Sequence, residues 1–356
     1  MKKGRVIVGM SGGVDSSVAA YLLKEEGYDV TGVTMQIWQP ESDSMTAENG
    51  GCCGLSAVED ARSVAAHIGI PHYVMNFRDV FQKTVIDYFV REYQSGRTPN
   101  PCIACNRYVK WEALLNKALA IGADYIATGH YARVVTLPDG RMTLREAPSS
   151  KDQTYALYQL TQEQLKHTLM PLGEYTKDEI RRIAAKAGLP VASKPDSQEI
   201  CFVPDNNYAG FIEKETGVPN RPGNFVSEDG RALGTHRGIA CYTIGQRKHL
   251  GLSFGYPVFV SEIRPQTNEV VLTKGNALFK DTVEAEDLNF MMIPALDGER
   301  RVIAKLRYSH KGAPAVVKMK GSRLICRFDE PQRAPTPGQA LVLYEDHMIL
   351  GGGTIQ

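Results

Sequence analysis

The sequence predicts an α/β protein in which a parallel sheet covered by helices is followed by one or two small β domains. Three observations carry this. Strand and helix patterns alternate through the first 200 or so residues. A glycine-rich turn joins a buried strand to a helix near the start. Beyond about residue 200 the helical period fades and short β runs take over. Strict alternation of strands and helices is the signature of βαβ units, whose strands lie parallel.

Taken in order, residues 5–10 form a short apolar run expected as a buried strand. Residues 14–26 follow with helical period, closed by Gly27. The next strand is expected over 29–38. A helix over 55–68 is ended by Gly69 and Pro71, and a strand over 72–77 leads into a long helix over 79–93. A further helix (108–121) and strand (125–128) complete the alternation. Two loops interrupt it. Residues 39–54 are polar and glycine-rich, and residues 95–106 carry Thr98-Pro99-Asn100-Pro101, a sequence unsuited to a helix. Thr176 and Glu179 form a capping box that starts a helix running to about Gly188. The later β runs are 258–263, 269–272, 301–306, 315–319, 324–328 and 340–344. The expected division is 1–205, 206–275 and 276–356, its boundaries set by the change of period.

Composition narrows the class. With 356 residues, 43% of them hydrophobic and 23% charged, the chain suits a globular protein of two or three domains. Disorder and collagen are excluded as global descriptions. The apolar runs are too short to span a bilayer, and no signal-type hydrophobic region follows the basic start, so a cytoplasmic location is expected. The charges nearly cancel, 41 Lys and Arg against 40 Asp and Glu. Their distribution is uneven: residues 300–327 hold nine Lys or Arg and no acid. That stretch reads either as a solvated face or as a strip that contacts phosphates.

Ser11-Gly12-Gly13-Val14-Asp15-Ser16 is the strongest local signal. Glycines let the backbone turn tightly and approach an anion, and the N–H groups at a helix start bind phosphate. The GK[ST] ending of the common P-loop and the third glycine of the dinucleotide fingerprint are both missing. Asp15 suits Mg²⁺ beside the phosphates and equally suits a helix N-terminus.

Seven cysteines are present: Cys52, Cys53, Cys102, Cys105, Cys201, Cys241 and Cys326. Cys102 and Cys105 have the Cys-x-x-Cys spacing of a redox pair or half a metal site, just before a helix that would favour thiolate. Taken singly, Cys52, Cys53, Cys201, Cys241 and Cys326 read as small buried hydrophobes. Trp38 and Trp111 read as core residues.

Longer stretches carry a resemblance. Gly9-Met-Ser-Gly-Gly-Val-Asp-Ser-Ser17, Gly96-Arg-Thr-Pro-Asn-Pro101, Ala127-Thr-Gly-His-Tyr131, Ser150-Lys-Asp-Gln153, Ser197-Gln-Glu-Ile-Cys-Phe202 and Thr243-Ile-Gly-Gln-Arg-Lys-His-Leu-Gly251 occur in this order. The sequence closely resembles the bacterial tRNA-specific 2-thiouridylases of the ATP-pyrophosphatase (PP-loop) superfamily, along nearly its whole length. The resemblance implies an adenine-nucleotide α-hydrolase domain, a β-rich central domain and a C-terminal β-barrel. It implies ATP-dependent adenylation of O2 of the wobble uridine of Lys, Glu and Gln type tRNAs. Sulfur transfer from a cysteine persulfide then gives 2-thiouridine, AMP and pyrophosphate. Cys201 would carry the persulfide and Cys105 would be the nucleophile that pairs with it.

The same resemblance implies nucleotide contacts from Gly9, Met10, Ser11, Gly12, Gly13, Val14, Asp15, Ser16, Met35 and Gly129. It implies contacts to tRNA from Asn100, Pro101, Cys102, His130, Lys151, Asp152, Gln153, Arg307, Tyr308 and Gln339. The implied cofactors are ATP and Mg²⁺. The implied partners are tRNA and a cysteine desulfurase or sulfur-relay protein, with the chain acting as a monomer away from membranes. Cys102 departs from some relatives, which carry Asp there for acid/base work. It reads as an acid/base thiol or as one ligand of a three-cysteine iron–sulfur or zinc site with Cys105 and Cys201. Two rivals remain at this stage. One is a small-molecule ligase with the same loop; the other is an RNA-binding module with a degenerate one.

Overall fold

The computed structural model describes residues 3–38, 55–195 and 200–356. The expected loop over 39–54, with Cys52 and Cys53, and residues 196–199 of the Cys201 motif lie outside the described residues. The chain divides into two compact units. The first runs to Val85 and takes in Cys102–Pro204 and Asp346–Ile349; the second takes Ile86–Pro101, Asp205–Glu345 and Leu350–Gln356.

In the first unit, β1 (Arg5–Gly9), β2 (Asp29–Gln36) and β3 (His72–Asn76) alternate with α1 (Val14–Glu25) and α2 (Leu55–Ile68). The expected helix over 79–93 is observed as α3 (Arg78–Phe81) and α4 (Asp87–Gln94), joined by a π turn over Gln82–Ile86. The Thr84 hydroxyl donates to the Val80 carbonyl at 2.7 Å. That bond competes with the backbone ladder at the point where the helix widens. The expected loop over 95–106 is half right. Its last part is helical: α5 (Pro101–Ala104) runs into a π stretch (Cys105–Leu114) and then α6 (Leu115–Ala120). Pro101 occupies the first helical position, where its missing N–H costs nothing. The Cys-x-x-Cys pair therefore sits on the opening turns of a helix, not ahead of it.

Next come β4 (Tyr125–Ala127), the hairpin β5 (Arg133–Thr136) and β6 (Met142–Arg145), α7 (Gln162–Lys166), β7 (Thr168–Leu169) and α8 (Lys177–Lys186). The sheet is parallel, in the order β3-β2-β1-β4-β7. Val6, Ile7 and Val8 of β1 are all buried, as a central parallel strand covered on both faces requires. Val6 and Val8 pack with Val18, Leu23, Val64 and Ile180, so α1, α2 and α8 cover that face. Trp111 is buried, and its indole N–H donates to Thr168 Oγ1 at 2.8 Å. Both halves of the Thr176–Glu179 capping box form.

In the second unit, α9 (Tyr208–Thr216) is a helix the fading period did not suggest. Asn207 caps it and Gly217 closes it at φ 66°. A four-stranded sheet follows, built from β8 (Gly223–Ser227), β9 (Ala232–His236), β10 (Phe259–Arg264) and β11 (Glu269–Thr273), in the order β10-β11-β8-β9. The last six strands are β12 (Phe279–Phe290), β13 (Arg300–Lys305), β14 (Ala313–Lys320), β15 (Arg323–Arg333), β16 (Ala340–Glu345) and β17 (Met348–Ile355). They run β12-β15-β14-β13-β16-β17, and the β12–β17 pairing closes an antiparallel barrel. Gly351 and Gly353 lie where β17 crosses β12. A Cβ on Gly351 would fall 2.4 Å from Asn289 O, and one on Gly353 2.5 Å from Leu288 Cδ2.

Candidate active site

Strand order reverses between β1 and β4: β2 and β3 lie on one side of β1, β4 and β7 on the other. Ligands of open parallel sheets bind outside the carboxyl ends of the strands at such a switch point. Two loops leave these ends, residues 10–13 after β1 and residues 128–130 after β4. Both were singled out in the sequence.

The first loop is held from several sides. Met10 N–H donates to Val33 O at 2.8 Å, and Thr34 Oγ1 returns a bond to Met10 O at 2.8 Å. Gly12 has φ +67°, and a Cβ there would lie 2.4 Å from Ala57 O, so no other residue fits. Gly13 is the N-cap of α1 at φ −98°, with no side chain to cap the helix. Ser11 N–H donates to Ser16 Oγ at 3.1 Å, and Ser17 Oγ donates to Gly13 O at 2.8 Å. Ser16 and Val14 are buried. The first N–H groups of α1 have no intrahelical acceptor and carry the positive end of the helix dipole. Met35 is half-buried on β2, one residue beyond Thr34.

The second loop packs directly on this helix start. A Cβ on Gly129 would lie 2.6 Å from Ser16 N and 2.7 Å from the Asp15 carbonyl carbon. His130 Nδ1 is 2.7 Å from Thr128 Oγ1, and its ring is 5.6 Å from Trp111. Part of the residue reaches solvent, yet its ring is enclosed. Burial, aided by the charge of Lys110, holds its pKa well below the ordinary histidine value. His130 is thus neutral at pH 7 and offers a hydrogen bond or a ring face, not a cation.

Three residues not named as contacts from the sequence, Tyr131, Lys177 and Lys194, complete the surroundings. Lys177 Nζ lies 2.7 and 2.8 Å from the two carboxylate oxygens of Asp15, and the Tyr131 hydroxyl donates to Asp15 Oδ1 at 2.7 Å. Lys194 Nζ donates to Gly12 O at 3.1 Å and pairs with Asp60 at 2.5 Å. A lysine at the first position of α8, against the helix dipole, is the signal that could have drawn attention to Lys177. Asp15 is thus paired with Lys177 and Tyr131 in this structure.

Around this centre, Gln153 braces the second loop. Its Oε1 accepts from Tyr131 N–H at 3.1 Å, and its own N–H donates to Tyr131 O at 2.9 Å. Asp152 accepts from Ala147 N–H and from the Thr154 hydroxyl, while Lys151 is exposed. Cys102 is exposed; Cys105 and Cys201 are half-buried. Cys102 and Cys105 stand three residues apart on one helix, hence on neighbouring positions of its surface. Cys201 lies on the separate segment 200–204, anchored by Phe202, whose ring meets Phe81 edge-on at 5.6 Å. Among the described residues no three His, Cys, Asp or Glu side chains converge as metal ligands. Cys102, Cys105 and Cys201, expected as a three-thiolate site, are thus not gathered as metal ligands in this structure.

Arg307 and Tyr308 belong to the second unit, just after β13, with Tyr308 49% exposed. The acid-free run around them is not a bare cationic strip. Arg300 pairs with Glu345, Arg301 with Asp329, Lys318 with Glu299, and Arg323 with Glu284 and Glu286. Acids outside the run thus pair with four of its nine cations. Gln339, also in the second unit, donates from Nε2 to Thr98 O at 2.8 Å.

Comparison with known proteins agrees with this arrangement. The tRNA methyl transferase HUP domain matches residues 4–205, the tRNA methyl transferase PRC-barrel domain 210–274, and the aminomethyltransferase beta-barrel domain 280–355. The tRNA-specific 2-thiouridylase of Lachnoclostridium phytofermentans is 64% identical over 100% of this chain and 99% of its own. That of Clostridium perfringens is 57% identical over 100% and 99%. The chain belongs to the tRNA-specific 2-thiouridylase family. The architecture follows suit: a HUP domain with a parallel sheet, a PRC-barrel-like middle domain, and a closed six-stranded antiparallel barrel. A solved 4-thiouridine synthetase–RNA complex with bound ATP aligns at TM-score 0.36 and 19% identity, over 60% of this chain and 50% of that one. That likeness is too distant to bear on the site of a 2-thiouridylase. No helix among the described residues is long and apolar enough to cross a membrane.

Proposed function

We propose that this 2-thiouridylase family member adenylates O2 of the wobble uridine in Lys, Glu and Gln type tRNAs and replaces that oxygen with sulfur. The observation that carries the reading is the glycine loop at the β1–β4 switch point, packed against Gly129 and opening onto the start of α1. Full-length identity to 2-thiouridylases supports the choice of substrate. It disfavours both a small-molecule ligase and a non-catalytic RNA-binding module.

In this reading, Gly9 to Ser16, Met35 and Gly129 hold ATP. The N–H groups of the loop and the positive end of α1 meet the phosphates. Mg²⁺, when bound, neutralises phosphate charge. The uridine O2 attacks the α-phosphorus and pyrophosphate leaves, which makes the oxygen a leaving group. The terminal sulfur of a Cys201 persulfide adds to C2 and AMP departs. The Cys105 thiolate then attacks Cys201 Sγ. A Cys105–Cys201 disulfide forms, and the transferred sulfur stays on the base. Two external thiol groups reduce the pair and leave as a disulfide. A cysteine desulfurase or relay protein supplies the persulfide sulfur. Asn100, Pro101 and Cys102 lie against the target base, with Cys102 exchanging protons there. His130, Lys151, Asp152, Gln153, Arg307, Tyr308 and Gln339 serve tRNA binding. The chain acts as a cytoplasmic monomer, with functional parts 1–205, 206–275 and 276–356.

The test is pyrophosphate release from ATP with unmodified tRNA, with the same tRNA carrying cytidine at the wobble position, and with no RNA. Release that requires the wobble uridine supports the reading. Release equal in all three, or driven by a small acid alone, contradicts it.

A further inference from the structure

The Met10–Ser11 peptide of the glycine loop is held at both ends. Its carbonyl accepts from Thr34 Oγ1 at 2.8 Å, and its N–H donates to Ser16 Oγ at 3.1 Å. The carbonyl and N–H of a trans peptide point in opposite directions, so the two bonds together fix its plane. Behind Thr34 stands His72, the first residue of β3, with Nε2 2.9 Å from the same hydroxyl. All of these residues belong to the first unit.

Proton counting settles the direction of each bond. A hydroxyl has one hydrogen, and a carbonyl only accepts. Thr34 therefore spends its hydrogen on Met10 O, and His72 donates from Nε2. Nδ1 keeps a bare lone pair, and this buried atom has no hydrogen-bond partner among the described residues. Burial, and then the charge of Arg62, lower the His72 pKa below the ordinary histidine value, so the neutral ring is the form present at pH 7. Gly32, paired with His72 across the sheet, makes the room. A Cβ there would lie 2.5 Å from Met10 Sδ and 3.2 Å from His72 Cδ2. Met10 and Thr34 are both buried, so solvent does not readily replace a bond lost between them. A flipped peptide would turn the Met10 oxygen toward the start of α1, where its partial negative charge opposes a phosphate.

We propose that His72 is a positioning residue for ATP: by donating to Thr34 it orients the hydroxyl that fixes the Met10–Ser11 peptide, and so keeps that carbonyl away from the phosphates. This rests on the ATP-binding part of the thiolation reading and adds to it a residue that acts through two others.

The variants are His72→Phe, His72→Gln, Thr34→Val and the double variant Thr34→Val with His72→Phe, in the full-length chain. The glutamine amide keeps a donor at the place of Nε2; phenylalanine keeps the bulk without it. Three quantities are read: the His72 tautomer by long-range proton–nitrogen correlation, assigned through its loss in His72→Gln; the ATP dissociation constant by calorimetry; and single-turnover thiolation at saturating ATP. The expected tautomer carries its proton on Nε2. ATP affinity should fall about 5-fold in His72→Phe and in Thr34→Val, with no further loss in the double variant and near-parental affinity in His72→Gln. The thiolation rate at saturating ATP should change less than the affinity. Losses that add in the double variant, parental affinity in His72→Phe, or a proton on Nδ1 would each overturn the proposal. Should His72→Phe fail to fold, parental affinity in Thr34→Val would overturn it instead. A parent that binds ATP but thiolates no tRNA overturns the thiolation reading alone, and the ATP affinities still decide the role of His72.

Discussion

Gly129→Ala tests the coupling of the two site loops in isolation. The added methyl falls 2.6 Å from Ser16 N and 2.7 Å from the Asp15 carbonyl carbon, where ordinary contact begins near 3.4 Å. Both atoms belong to the rigid start of α1, so neither yields as a flexible side-chain tip would. Overpacking of this kind costs about 1–3 kcal/mol. If the strain moves the 128–130 loop away from α1, ATP binding loses a similar amount, about 5- to 150-fold in dissociation constant. Gly13→Ala is the matched control. Its φ is −98° and its nearest contact would be Ser11 Oγ at 3.5 Å, so the empty protein tolerates the methyl while the phosphate approach narrows. Titration calorimetry with ATP and a thermal melt separate the two. Gly129→Ala should lose both affinity and melting temperature; Gly13→Ala should lose affinity alone. Parental melting and affinity in Gly129→Ala would refute the packing argument.

Three further outcomes follow from the same geometry. Lys177→Met leaves the Asp15 carboxylate with Tyr131 as its remaining described side-chain partner. Lys177 and Asp15 are 13% and 32% exposed, between surface and buried pairs, so denaturant unfolding should show a loss of about 1–3 kcal/mol. His130, whose folded pKa lies below its unfolded value, binds its proton first in the unfolded chain. Its neutral burial favours folding above about pH 6.5, and that advantage is lost as pH falls through the folded pKa. His72, His236 and His310 are lowered too. The check is therefore the difference between parent and His130→Asn in unfolding free energy from pH 7.5 to 5, which should shrink toward acid by up to about 1.4 kcal/mol per pH unit. Burial pushes the Cys326 thiol up to about 12 and raises Cys241 as well, whereas Cys102 is exposed. Brief iodoacetamide treatment of the native protein at pH 8, read by peptide mass spectrometry, should label Cys102 and spare Cys326.

Much of this was legible in the sequence because single-chain periodicity carried it. The β/α order of the first unit, the capping box at Thr176 and six of the later β runs all follow from apolar spacing and turn residues. What stayed hidden depends on partners far away in sequence. β17 contains Gly351, Gly352 and Gly353, which argue against a strand until β12 is seen to cross there. α9 is a short helix whose Asn207 cap and Gly217 stop are single residues. The loop over 95–106 read as irregular because of its prolines, yet Pro101 starts a helix. At the site, the glycine loop was plain from local spacing. Lys177 and Lys194 were not, since each reaches the loop from more than 160 residues away. Gln339 was placed on RNA by resemblance, and its bond to Thr98 needed the fold to bring residues 98 and 339 together.

The central claim is sulfur transfer to tRNA through Cys201 and Cys105. The most direct measurement loads the protein with persulfide, adds ATP, Mg²⁺ and unmodified tRNA, and scores thiouridine by mercury-gel shift in a single turnover. The parent should shift the tRNA, Cys201→Ser and Cys105→Ser should not, and Cys102→Ser should do so more slowly. A full shift by Cys201→Ser or Cys105→Ser, or no shift by a parent that releases pyrophosphate and keeps its thiols, would contradict the account.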